Sequence, residues 1–170
     1  FKGTQKETNA SLNRKIELLG GDFNAYTDYL STVLTVSAMT EELQPALSLL
    51  KDMVMNTNFL EEELEKERSV ILSELRASLD DAEESTHRGL FEKAYDKSPL
   101  KQDVIGTEES ISSFTREGLL AFYDQYYIPN NALLVLVSNL SHDQAVETLG
   151  STFSTWEKRP LKKRTIGFEK

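Results

Sequence analysis

Two carboxylates set into the apolar stripe of one helix constrain this chain more than any other feature of its 170 residues. Residues 61–75 read Glu61-Glu62-Glu63-Leu64-Glu65-Lys66-Glu67-Arg68-Ser69-Val70-Ile71-Leu72-Ser73-Glu74-Leu75. At about 100° per residue, Glu67 and Glu74 fall about 20° apart around a helix and two turns apart along it. Leu60 lies about 20° from Glu67, Ile71 about 40°, and Val70 and Leu64 about 60° to either side. Glu61, Glu62 and Glu65 largely populate other faces. A carboxylate in a partly dry place stays ionised only beside a cation or hydrogen-bond donors. Spacing alone leaves three readings open: a structural ion pair with Arg or Lys, a metal or catalytic role, or exposure on a solvated acidic helix face.

The surrounding pattern predicts the scaffold. Residues 7–19 carry Leu12, Ile16 and Leu19 on one helical face and stop at Gly20-Gly21. Short strands are predicted over 22–27 and 32–38, the second with alternating burial, paired as an antiparallel hairpin turning near Asp28-Tyr29. A helix with Pro45 in its first turn comes next, with Leu43, Ala46, Leu47, Leu50, Met53 and Val54 at three- and four-residue steps. Asn56-Thr57-Asn58 breaks it. One long polar helix is then expected over 60–84 and a shorter one around 90–95. Thr115 can cap a helix bearing Leu119, Phe122, Tyr123 and Tyr126, and Pro129-Asn130-Asn131 makes a turn. The apolar run 132–137 suits a buried strand. Ser141-His142-Asp143-Gln144 has the capping-box pattern that opens a last helix. The mixture implies a two-layer α+β domain, with helices on one face of a mostly antiparallel sheet. Three strands make a thin sheet for this length, so further strands are expected.

Composition narrows the function. There is no cysteine, which excludes disulfides, thiolate metal sites and cysteine nucleophiles. No apolar run approaches the roughly 20 residues of a membrane helix, so no membrane span is expected. The net charge of -9 opposes nucleic-acid binding. Residues 158–170 hold six of the 19 Lys and Arg and one acid, leaving 13 basic against 27 acidic side chains over residues 1–157, a net of -14. That body would attract basic peptides, and the basic tail reads as a linker.

Five landmarks then match one family. Phe1-Lys2-Gly3-Thr4 resembles the segment directly after the inverted zinc motif His-x-x-Glu-His of M16 (pitrilysin, insulinase and mitochondrial processing peptidase-like) metallopeptidases. Gly20-Gly21-Asp22-Phe23-Asn24-Ala25-Tyr26-Thr27 is similar to their Gly-Gly-x-x-Asn-Ala-x-Thr strand. Glu65-Lys66-Glu67-Arg68-Ser69-Val70-Ile71-Leu72-Ser73-Glu74 resembles their Glu-x-Glu-Arg-x-Val-Ile-x-x-Glu helix. Val104-Ile105-Gly106-Thr107 and Tyr126-Tyr127-Ile128-Pro129-Asn130-Asn131-Ala132 match two more, all in order along the chain.

The resemblance implies an N-terminally truncated LuxS/processing-peptidase-like metallohydrolase fold, with a peptidase lobe over 1–157 and the start of an inter-lobe linker over 158–170. It makes Glu74 the third zinc ligand and Glu67 an accessory glutamate near the site. Asn24, Ala25 and Tyr26 would lie on the edge strand to which extended peptide substrates add. The family chemistry is metal-assisted hydrolysis, zinc activating water with the motif glutamate as general base. Both carboxylates should then face inward. The His-x-x-Glu-His motif itself is absent, and His87 and His142 read as surface or packing residues rather than ligands. The chain alone is therefore expected to be inactive and metal-free, a fragment of a zinc endopeptidase whose intact landmarks favour an active parent. The alternative is a non-catalytic partner or core subunit that binds peptide or scaffolds an assembly. Expected partners are extended peptide, a second M16 lobe or sister subunit, and a homo-oligomer formed through exposed sheet edges. Bacterial cytoplasm or periplasm is the favoured location, and the mitochondrial matrix is compatible.

Overall fold

The computed structural model describes residues 3–161. Helix α1 (Asn9–Leu18) starts where the Thr8 side chain accepts a hydrogen bond from the Ser11 N–H. It ends before Gly20, whose φ of +60° supplies the left-handed turn. Strands β1 (Asp22–Thr27) and β2 (Thr32–Ser37) pair antiparallel, from Asp22 opposite Ser37 to Thr27 opposite Thr32. Gly21 is required by space: a Cβ there would stand 1.7 Å from the Ser37 carbonyl oxygen. Phe23 and its cross-strand partner Val36 pack on the core that Leu12 and Leu19 share with Ala46, Leu49 and Met53 of α2 (Leu43–Met55). The expected layering of helices on one face of a hairpin is thus present.

Three expectations need correction. The predicted single helix over 60–84 is two helices, α3 (Glu61–Asp80) and α4 (Ala82–Ala94). Asp81 leaves the helical region, and its carboxylate accepts from the Glu83 and Glu84 N–H groups, capping the second helix rather than continuing the first. The predicted buried strand over 132–137 is neither a strand nor buried among the described residues, with Leu133 89% and Val137 93% exposed. A strand needs a ladder partner, and the sheet among the described residues contains only β1 and β2. The apolar stripe of α3 is likewise poorly covered: Leu75 is its one buried residue, while Leu60 and Val70 are exposed.

The remaining helices are α5 (Glu108–Ser113), α6 (Arg116–Tyr126) and α7 (His142–Thr152). Thr115 caps α6 and the Ser141/Gln144 capping box opens α7, as the sequence predicts. Pro129, Asn130 and Asn131 form a short 3-10 turn. Of the tail expected to be a linker, residues 162–170 lie outside the described residues. Arg159, before them, is docked: its N–H donates to Asn130 Oδ1 at 3.3 Å, and its guanidinium faces Asp124 at 3.6 Å.

Candidate active site

Glu67 stands half-buried on α3, in the wall of a cavity of about 280 Å³. Leu64 and Ile71 flank it on the same helix, and Ile111, Phe114 and Leu119 close the far side. Gly3 lines the same cavity. The first described residues are brought there by the loop after α2. Thr4 bridges to Thr57, Asn58 Nδ2 donates to the Thr4 carbonyl at 2.7 Å, and the Gln5 N–H donates to the Asn56 carbonyl at 2.8 Å. Thr4 is buried, and its hydroxyl donates to Asp52 Oδ2 at 2.9 Å.

Two arginines hold the walls. Arg68, next to Glu67, donates through Nη1 to the Ile111 carbonyl and through Nη2 to the Phe114 carbonyl at 2.7 Å. These carbonyls at the end of α5 lack intrahelical partners, and a guanidinium fork can satisfy both. Arg116 donates to the Phe59 carbonyl at 2.8 Å and to the Asn58 carbonyl at 3.0 Å. Phe59 is in the left-handed region with φ +42°, a position disfavoured for a bulky residue. Its ring meets Tyr123 edge-on at 5.7 Å, and the buried Tyr123 hydroxyl donates to the Val54 carbonyl at 2.6 Å. Burial is the main force on that phenol and pushes its pKa up to about 12. No local sequence signal announces these clamps, because their acceptors are backbone carbonyls distant along the chain.

The structure separates the predicted residues. Glu67 enters the cavity, whereas Glu74, two turns further along α3, is exposed rather than turned inward. The reason is that the apolar stripe of α3 is left largely uncovered on that side. Asn24, Ala25 and Tyr26 are exposed on β1, whose outer edge carries no strand among the described residues. Strand β1 packs on α1 and β2 on α2, while α3 packs on α4 and α5, so the strands and the carboxylates rest mainly on different helices. His142 is exposed, and His87 is exposed with its ring 4.4 Å from that of Phe91. Among the described residues no three His, Cys, Asp or Glu side chains form a group able to hold a metal ion. The described residues by themselves therefore do not fit zinc, which takes four ligands in a structural site and three in a catalytic one.

Comparison with known proteins agrees with the landmarks. Residues 1–108 match the family model described as Insulinase (Peptidase family M16), and residues 113–170 match that of the Peptidase M16 inactive domain. The chain belongs to the M16 peptidase family. An uncharacterized zinc protease of Rickettsia felis is 34% identical over 155 residues, covering 91% of this chain and 38% of that protein. Mitochondrial-processing peptidase subunit beta of Neurospora crassa is 33% identical over 154 residues, covering 91% of this chain and 32% of that protein. The crystal structure of a protease from Helicobacter pylori superposes with a TM-score of 0.87 at 24% identity, covering 99% of this chain and 40% of that one, which establishes the fold. The chain thus spans well under half the length of these relatives. No helix among the described residues is long and apolar enough to cross a membrane.

Proposed function

We propose that this chain is a lobe of a zinc-dependent endopeptidase that hydrolyses extended peptides, with the LuxS/processing-peptidase-like metallohydrolase fold. In this reading Glu74 is the third zinc ligand, Glu67 is an accessory glutamate near the site, and Asn24, Ala25 and Tyr26 offer the backbone edge to which substrate adds. One observation carries this reading: Gly3 and Glu67 share a cavity. Phe1-Lys2-Gly3-Thr4 resembles the stretch that directly succeeds the family's zinc-binding histidines, so those histidines would arrive from the side on which Glu67 sits. Such a peptidase works with a second M16 lobe or a sister subunit, across which the site closes.

The chain by itself is then inactive and does not retain zinc, because among the described residues no three metal-binding side chains come together around Glu74. Elemental analysis of the purified chain together with a peptide-cleavage assay tests this. Substoichiometric zinc and no turnover are expected; one zinc per chain would overturn it.

The match of residues 113–170 to the M16 inactive-domain model favours a second reading, a non-catalytic partner or core subunit that presents its β1 edge to peptide or to a sister chain. Zinc-dependent turnover by a full-length protein containing this lobe decides for the peptidase, and its absence for the scaffold.

A further inference from the structure

The hairpin is fastened at both ends. At its base, Phe23 and Val36 enter the core, and Gly21 lies against the Ser37 carbonyl. At its tip, Tyr29 stacks on Phe91 of α4, the ring planes 3° from parallel and the centroids 6.2 Å apart. Phe91 is itself braced by Tyr95 at 5.5 Å and His87 at 4.4 Å. The same helix is tied to α3 by Arg88, which donates to Ser78 Oγ at 3.0 Å and to Asp103 Oδ2 at 2.8 Å. The Tyr29 phenol senses this surrounding: burial first, then the charges of Asp103, Asp28 and Tyr95, hold its pKa above the ordinary value.

We infer that Tyr29 and Phe91 are positioning residues, an aromatic clasp that fixes the peptide-accepting edge of β1 relative to the helix carrying Glu67 and Glu74. The inference rests on the reading of Asn24, Ala25 and Tyr26 as that edge. The hairpin otherwise packs on α1 and α2, and the carboxylates ride on a helix packed on α4 and α5, so a rotation between the two groups would move substrate away from the acidic side chains. A parallel aromatic pair resists such rotation because its attraction depends on ring offset and orientation. A two-stranded hairpin is marginally stable by itself, so a second anchorage at its tip limits how far it can move relative to α4.

The absence of native cysteine allows unambiguous spin labelling at two introduced positions, Ser31→Cys at the tip and Lys93→Cys on α4, both exposed. The distance distribution between them is expected to be narrow in the parent chain and in Tyr29→Phe. It should broaden in Tyr29→Ala and Phe91→Ala. Leu30→Ala, at a neighbouring tip residue that is 84% exposed, should leave it unchanged. In parallel, a fluorescein-labelled basic peptide without structure of its own should bind the two alanine variants about 2- to 10-fold more weakly than the parent, the range expected from one aromatic pair. Unchanged distances in both alanine variants would overturn the clasp, whatever the peptide does. Failure of the peptide to shift any β1 amide resonance in the parent chain would instead remove the peptide-edge reading.

Discussion

Arg68 Nη2 on α3 donates to the Phe114 carbonyl oxygen, just past the end of α5, at 2.7 Å. With its second bond to the Ile111 carbonyl, this side chain joins the helix that carries Glu67 to the opposite wall of the cavity. Glu63, Glu67 and Arg68 itself all line that cavity, so this fork fixes the spacing of the walls around two carboxylates.

Arg68→Lys keeps the charge and loses the fork. An ammonium cannot reach both carbonyls from one position, so one backbone acceptor is left without its donor. The expected loss is about 1–3 kcal/mol in urea unfolding. Faster amide exchange in α5 than in α1 should accompany it, and uniform exchange across the chain would argue against a local clamp.

Gly21→Ala should be disruptive despite the small change. The new methyl would meet the Ser37 carbonyl oxygen at 1.7 Å, and that oxygen belongs to the paired strand rather than to a flexible side chain. The hairpin must shift, at a cost of about 1–3 kcal/mol. Gly20→Ala adds a methyl into open space and is strained only by its φ of +60°, so it should cost less. Equal destabilisation of the two variants would mean that space at Gly21 is not the constraint.

Tyr123 should give an alkaline limb to the stability curve. Its phenol is pushed up to about 12 in the folded chain, against about 10 when unfolded. The neutral form is therefore favoured by folding. Stabilisation is complete below about pH 10 and is lost as pH rises toward about 12, because there the unfolded chain releases the proton first. Tyr123→Phe should lose about 0.5–1.5 kcal/mol at neutral pH with the hydrogen bond to Val54, yet lose less further stability between pH 10 and 12. An unchanged alkaline slope in this variant would assign that limb to other groups.

The hairpin was legible because alternation in 32–38 and Gly20-Gly21 before Asp22 are local signals, and β1 runs from Asp22 to Thr27 as those signals imply. Thr115, Ser141 and Gln144 were legible for the same reason, since caps act within one turn. The break at Asp81 was not: Asp80-Asp81 continues a polar helical pattern, and it is the extended backbone of Asp81, together with its carboxylate accepting from the Glu83 and Glu84 N–H groups, that shows it caps α4. The run 132–137 signalled burial, but burial depends on what a segment packs against, and its residues Leu133, Val135 and Val137 stand exposed. Within the site, the spacing of Glu67 and Glu74 placed both on one stripe, whereas the depth of each depends on neighbours that spacing does not specify. The roles of Arg68 and Arg116 carry no local signal, because their acceptors, the Ile111 and Asn58 carbonyls, lie 43 and 58 positions away.

The roles assigned to Glu74 and Glu67 are tested most directly in a full-length protein containing this lobe, by measuring zinc per chain and peptide turnover for Glu74→Gln beside Glu67→Gln. Glu74→Gln is expected to lose both zinc and turnover, and Glu67→Gln to keep the metal with a smaller loss of rate. Full zinc and undiminished turnover in Glu74→Gln would contradict the assignment of Glu74 as a ligand.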